Sequence, residues 1–201
     1  MPTPDSPLDA AVRTFAEERH YSQATLERWL RLPPADRVAL LELAQELRPS
    51  ENQFRDLWDW AGEIAQRDRI SLSVMFASAP LLAVRRRRVS RNDKLKLLKA
   101  ALRRLRFPQL AGVEDRLAAL VRELGLPANI RIILPEFLEG DTIRVEVTAG
   151  STAALQAAAE RLLAAAGSAA CTAIFELMEE APDDGLSLSQ KPSTGRGSPA
   201  A

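Results

Sequence analysis

The chain is poor in the residues that most often carry chemistry, with one histidine, one cysteine and one tyrosine among 201 residues. A single cysteine excludes an internal disulfide and a cysteine-based metal cluster. No apolar run approaches the roughly 20 residues that a membrane-spanning helix needs, and the N-terminus lacks a secretory signal. These absences favour a cytoplasmic protein without a membrane segment.

Recognised catalytic patterns are also missing from the sequence. We find no glycine-rich phosphate loop, no Cys/His metal pattern and no G-x-S-x-G motif. His20 lies in a predicted surface turn, and Cys171 has no histidine near it in the sequence. We therefore expect a non-enzymatic protein that needs no cofactor and no metal.

Alanine and leucine dominate a composition with 46% hydrophobic and 5% aromatic residues, which favours a folded, mainly α protein. We expect an N-terminal helical array, a basic linker helix and a small C-terminal α+β unit with a two-stranded hairpin. The predicted divisions are a polar tail (1–7), a helical domain (8–80), a basic segment (81–106), an α+β domain (107–181) and a disordered tail (182–201).

Helix signals follow one another closely in the first eighty residues. Ser22 can cap a second helix, Pro34 can begin a third, and Ser50 with Gln53 has the spacing of a capping box. The third helix is expected to bury Val38, and a short helix is expected to end before Pro80. The fourth helix has a 3.6-residue apolar stripe: Phe54, Leu57, Trp58, Ala61, Ile64 and Ala65.

The C-terminal pattern predicts a helix, two strands at 129–134 and 142–148, and a further helix after Ser151. Alternation in the second strand places Val145 on the inner face. The helix after Ser151 is expected to have Leu155, Ala159, Leu162 and Ala166 on one face. Residues 169–180 fit a final helix or a third strand, and the helix is favoured.

A net charge of zero conceals a strong local separation of charge. Residues 85–106 contain eleven basic residues against one acidic residue, Asp93, whereas the other 179 residues carry 16 basic and 26 acidic. Polyanions respond to such a local field rather than to the total charge. The candidate phosphate-binding residues are Arg85, Arg86, Arg87, Arg88, Arg91, Lys94, Lys96, Lys99 and Arg103.

Two interpretations of this basic segment stay open. Four consecutive arginines need a counter-charge, which phosphates or the acidic N-terminal helices can supply. Asn92 or Asp93 can cap a helix that begins at Lys94, and its leucine side must pack on its own domain or on a second copy. An anionic membrane surface is less favoured, because the helix lacks bulky aromatic residues for insertion.

The first two predicted helices have the dimensions of a helix-turn-helix, in which the first turn of the second helix enters the major groove. The groove-facing candidates are Ser22, Gln23, Thr25 and Arg28, since glutamine can contact adenine and arginine can contact guanine or phosphate. A generic helical hairpin has the same spacing, so this pattern alone does not decide.

Residues 20–37 (HYSQATLERWLRLPPADR) resemble the central region of ParB-family partition proteins, in which a recognition helix leads into an L-R-L-x-x-L-P-type ending. Residues 47–72 resemble the region that follows in divergent ParB-like proteins. The resemblance, over roughly residues 8–75, implies a nucleoid-associated DNA-binding protein of plasmid partition or chromosome segregation. It assigns the recognition role to Ser22, Gln23, Thr25 and Arg28.

Family resemblance also implies double-stranded DNA and a second copy of the chain as partners, with a ParA-like ATPase as a further candidate. The nucleotide-binding domain of ParB proteins has no counterpart before residue 8, so nucleotide-driven clamping is not expected. By analogy, residues 107–181 are a candidate dimerisation module. The rival functions are a protein-interaction module that docks an acidic partner and, less favoured, an RNA-binding protein, because residues 142–148 lack aromatic residues for base stacking.

Overall fold

The computed structural model describes residues 6–135, 140 and 142–180. It is mainly helical with a two-stranded antiparallel hairpin, which confirms the expected fold class. The chain divides into two compact units between Ala111 and Gly112, and each unit is described separately below. The predicted disordered tail, residues 182–201, lies outside the described residues.

The first unit is an array of helices joined by short connections. Ser22, Ser50 and Ser90 each accept a backbone N–H at a helix start, and Ser50 with Gln53 forms the predicted capping box. The helices are α1 (Pro7–Glu18), α2 (Gln23–Leu30), α3 (Pro34–Leu47), α4 (Glu51–Asp68), α5 (Leu72–Phe76), α6 (Ala79–Arg85) and α7 (Arg91–Arg106).

An aromatic cluster lies at the centre of this unit. The rings of Trp29 and Phe54 are 4.7 Å apart between centroids, and Phe15, Tyr21 and Trp58 pack around them. All six residues of the predicted α4 stripe are buried. The prediction for Val38 is wrong: it is exposed, because α3 turns Leu40, Leu43 and Ala44 into the core instead.

The start of the basic segment differs from the prediction. A helix, α6, begins at Ala79 because Pro80 occupies its first turn, where a missing N–H costs nothing. Ser90, and not Asn92 or Asp93, caps α7, so this helix begins three residues earlier than expected. Leu95, Leu98 and Leu102 of α7 are buried in the core of the same unit, which settles where the leucine side packs.

The second unit has a much smaller core, made by Leu117, Ile174, Leu177 and Met178 with half-buried neighbours. The two strands pair antiparallel with Ile130 opposite Val147 and Ile133 opposite Arg144. The elements that reach into or lie within this unit are α8 (Pro108–Glu123), β1 (Ile130–Ile133), β2 (Arg144–Val147), α9 (Thr152–Ala166) and α10 (Ala169–Glu179).

The structure tests three predictions for the second unit: the helix at 169–180, the inner position of Val145 and the apolar face of α9. Residues 169–179 are helical, as favoured. Val145 is exposed, so its expected burial is wrong, although Ile130 on the same face of the hairpin is buried and Ile143 packs against the small core. Leu155, Ala159, Leu162 and Ala166 share one face of α9 as expected, but Leu155, Ala159 and Ala166 are exposed, and the buried residues of this helix are Ala158 and Ala165.

Candidate nucleic-acid interface

Part of the basic segment is neutralised by carboxylates of its own unit. Glu46 of α3 accepts one hydrogen bond from Arg85 Nε and one from Lys94 Nζ, each at 2.8 Å. These three side chains are largely buried, with 17 to 25% of each exposed. Arg85 and Lys94, both predicted to bind phosphate, therefore already have a counter-charge.

Glu46 contacts both cations, and they change the pKa of its carboxyl group. Burial would raise the pKa of Glu46, but the hydrogen bonds from Lys94 and Arg85 outweigh burial. The pKa of Glu46 consequently lies below its ordinary value of 4.5. The carboxylate stays charged at neutral pH and joins α3 to both α6 and α7.

A second row of ion pairs links α7 to α4. Lys99 donates to Asp56 at 2.7 Å, and Arg106 lies 2.6 Å from Glu63. Both cations also lie about 6 Å from the ring centroid of Trp60, within the range of a cation–π interaction. Lys99, a third predicted phosphate ligand, is therefore also held within the unit.

Besides Arg104, which makes an interaction of its own, five basic residues of the segment are exposed, and we call them the basic cluster: Arg86, Arg87, Arg88, Arg91 and Lys96. All five side chains are exposed, and none makes an ion pair or hydrogen bond with the described part of the chain. Asp93, the one acid of the segment, accepts a hydrogen bond from Ser90 Oγ at the start of α7. The cluster therefore has five positive charges within eleven residues and one acid, which is already engaged in a helix cap.

Local chain geometry explains why the cluster points outward. The helix α6 ends at Arg85, directly after Val84, which is buried together with Leu81. Residues 86–90 form the exposed connection to α7. In α7, Leu95 and Leu98 are buried, and Lys96, which lies between them in the sequence, is exposed on the solvent side of the helix. Arg103 is half-buried and makes an interaction of its own, so it is not part of the cluster.

The predicted recognition helix has its first turn docked on α4. The hydroxyl groups of Ser22 and Thr25 both donate to Glu51 Oε1 at 2.5 Å. These hydrogen bonds, first from Ser22 and then from Thr25, lower the pKa of Glu51 below its ordinary value. Thr25 is only 5% exposed, so this side chain cannot reach a base while the helix keeps this position.

The other two predicted recognition residues are more accessible. Arg28 lies 2.6 Å from Asp59 and 4.1 Å from the ring centroid of Trp58, with about half of its side chain exposed. Gln23 is exposed and donates to Glu27 at 3.0 Å, one turn along the same helix. Gln23 and Arg28 are thus the members of the predicted set that a ligand can meet directly.

Sequence reasoning offered the acidic N-terminal helices as one possible counter-charge, but it did not identify the individual acidic residues that bind these side chains. Glu46, Glu51 and Asp59 come from α3 and α4, far from their partners along the chain. A signal was present, because Asp56, Asp59 and Glu63 recur every three or four residues beside the apolar stripe of α4. A row of acids on one helix is the natural partner of a cationic helix.

The lone histidine and the lone cysteine lie in different parts of the fold, and no metal-binding cluster is found among the described residues. His20 is exposed in the turn after α1, and Cys171 is a half-buried free thiol in α10. Residues 6–135, 140 and 142–180 contain no group of three or more histidine, cysteine or acidic side chains placed to hold a metal ion. Within those ranges no single helix combines the length and hydropathy of a membrane span, although α9 and α10 do so together across a 64° bend.

Comparison of the chain with protein-family models, with curated proteins and with solved structures finds no match. The resemblance to ParB-family proteins therefore rests on the sequence motif of residues 20–37 and its flanking region alone.

Proposed function

We propose that the chain is a DNA-binding protein whose basic cluster, Arg86, Arg87, Arg88, Arg91 and Lys96, contacts backbone phosphates. The observation that carries the proposal is the division of the basic segment. Arg85, Lys94, Lys99 and Arg106 have carboxylate partners, whereas the five residues of the cluster are exposed and have none among the residues that the structure describes.

Electrostatics favours a polyanion as the ligand of such a cluster. Like charges this close repel each other, and an anion that binds between them relieves the repulsion. Guanidinium groups also offer paired N–H donors that match the oxygens of a phosphate. Phosphates along a duplex repeat at short intervals, so several arginines in succession can each find a partner.

In this proposal α2 supplies whatever base discrimination the protein has. Gln23 and Arg28 are the candidates for base contacts, and Arg28 would exchange its contact with Asp59 for the DNA. Ser22 and Thr25 would instead fix the position of α2 through Glu51. The proposal extends to a nucleoid-associated role in partition or segregation, with a ParA-like ATPase as partner, on the strength of the ParB resemblance alone.

A matched pair of variants tests the proposal. Arg87→Ala/Arg88→Ala removes two charges from the basic cluster, and Arg55→Ala/Arg131→Ala removes two exposed arginines elsewhere. In fluorescence anisotropy with a random-sequence duplex, we expect the first variant to bind all sequences more weakly and the second to bind as the wild type does. Equal affinities of the two variants, or no binding by the wild type at low salt, would refute the proposal.

A protein-interaction module is the second candidate function. It is favoured by the fact that α7 already binds acidic side chains of α3 and α4, so the same chemistry suits an acidic protein segment. A poly-glutamate peptide separates the two candidates. Binding to the peptide together with no shift of duplex DNA at low salt would favour the module, and stronger competition by single-stranded RNA than by duplex would favour an RNA ligand.

A further inference from the structure

The helix α9 presents an exposed apolar stripe that nothing in the described residues of its unit covers. Leu155 is 53% exposed and Leu163 is 78% exposed. At 100° per residue, Thr152, Ala159 and Ala166 fall on the same face, and all three are exposed. The stripe has no charged residue, because Glu160 and Arg161 lie on other sides of the helix.

This exposure is unusual for a helix that is also apolar on its inner side. Ala158 and Ala165 are buried there, so α9 has apolar residues on two faces. A helix that is apolar nearly all round normally lies inside a larger core. The core of this unit is small, with four buried residues in its main cluster. The outer face of α9 therefore adds hydrophobic stabilisation only if another surface covers it.

We propose that a second copy of this chain covers the stripe, with α9 packed against α9 in antiparallel orientation about a twofold axis at Ala159. The stripe is symmetric about this residue. Leu155 and Leu163 lie four residues before and after it, and Thr152 and Ala166 lie seven before and after it. In an antiparallel pair, Leu155 of one copy therefore meets Leu163 of the other on both sides of the axis.

Self-complementarity is what a twofold interface requires, since the same patch must serve as both partners. Alanine at the centre lets the two helices approach closely, and the leucines fill the space on either side. A helix of 15 residues is only about 22 Å long. Such a pair buries less than the roughly 800 Å² per partner of a standard interface, so we expect a weak, concentration-dependent dimer.

A membrane surface is the other partner that an exposed apolar helix face can bind. Helices that lie on membranes have lysine and arginine on the polar face and aromatic residues on the apolar one. In α9 the one basic residue is Arg161, and the stripe has no aromatic residue. Symmetry and composition both favour the second copy, and this inference is independent of the proposed DNA binding.

Cysteine crosslinking tests the position of the axis. In the 201-residue chain with Cys171→Ser, Ala159→Cys places two thiols together at the twofold axis, whereas Ala157→Cys, at another exposed position of α9, places them on a different face. Mild oxidation should give a covalent dimer with Ala159→Cys and at most a trace with Ala157→Cys. Equal crosslinking at both positions, or none at either, would overturn the proposal.

Charge exchange tests the antiparallel pairing. In sedimentation equilibrium, Leu163→Glu should weaken dimerisation about 100-fold, because a charge is buried against leucine. Adding Leu155→Lys should restore most of the affinity, since the introduced lysine of one copy would meet the introduced glutamate of the other. Within one chain the two positions are about 12 Å apart along the helix, too far to pair.

Three outcomes would overturn the antiparallel dimer. The first is a wild type that stays monomeric up to about 1 mM, well above the range of a weak interface. The second is a double variant that is no better than Leu163→Glu. The third is a monomeric wild type that binds phosphatidylcholine–phosphatidylserine vesicles through α9, which would identify a lipid surface as the occupant.

Discussion

Replacing Glu46 by glutamine would remove the negative charge that Arg85 and Lys94 share. Arg85 and Lys94 donate to different oxygens of Glu46, so the amide of glutamine would keep an acceptor for only one of them. The two cations would then lie beside each other without their shared counter-charge, in a site that is about one quarter exposed. The change keeps the shape of the side chain, so its effect reports on charge rather than on packing.

The magnitude follows from the two hydrogen bonds. A hydrogen bond to a charged group contributes about 1.5–3 kcal/mol, against about 1 kcal/mol for a neutral one. The change makes one charged bond neutral and removes the other, while water can hydrate the freed cation in this partly exposed site. It should therefore lower the free energy of unfolding by about 2 kcal/mol. Urea denaturation at neutral pH, followed by circular dichroism, measures this difference.

The same variant predicts a pH dependence. The pKa of Glu46 is lowered in the folded state, so its charge stabilises the fold above the ordinary value of 4.5, and this stabilisation is lost as the pH falls through the lowered pKa. The difference in unfolding free energy between wild type and Glu46→Gln should therefore shrink below about pH 4.5.

Glu42→Gln is the matched control, one turn away on α3. Its carboxylate lies 3.9 Å from Arg85 and is 60% exposed, so we expect a loss of less than about 0.5 kcal/mol. Equal losses for the two variants, or a Glu46→Gln difference that does not change between neutral and acidic pH, would refute the assignment of Glu46 as the shared counter-ion.

Two further predictions concern the aromatic core and α2. Burial raises the pKa of Tyr21 to about 12, so its tyrosinate absorbance should not appear near pH 10 in the folded protein. The stability that the neutral side chain confers should be lost as the pH rises from 10 towards 12. A titration midpoint near pH 10 before unfolding would contradict the burial of Tyr21. Gln23→Ala should reduce discrimination between a selected DNA site and random duplex by about 1–3 kcal/mol while the salt dependence of binding stays unchanged. An equal loss of affinity for both DNAs would exclude a base contact by Gln23.

Local signals were sufficient for much of the first unit. The capping box at Ser50 and the apolar stripe of α4 depend only on residues at or next to one helix, so the sequence alone predicted them. The helix α6 was missed because Pro80 was interpreted as a stop, although proline is tolerated in a first turn. Ser90 was overlooked as a cap because Asn92 and Asp93, two equally good capping residues, come only two and three residues after it.

Long-range features could not be obtained in this way. Lys94 and Glu46 are 48 residues apart, and no periodic pattern connects them. The buried face of α9 could not be identified either, because alanine and leucine occur on every side of that helix and give no contrast between its faces. Tertiary packing decides which basic residues stay exposed. The sequence therefore predicted phosphate binding for the whole basic segment, whereas the structure separates residues with carboxylate partners from the exposed basic cluster.

The central claim is that the five side chains of the basic cluster bind DNA phosphates, and the salt dependence of binding tests it most directly. Five phosphate contacts predict a slope of about −4.5 in a plot of log affinity against log salt, which is a loss of roughly 500-fold between 50 and 200 mM. With all five residues replaced by alanine, the slope should fall close to zero. An affinity of the wild type that stays constant over this range, or a slope that the replacement leaves unchanged, would contradict the account.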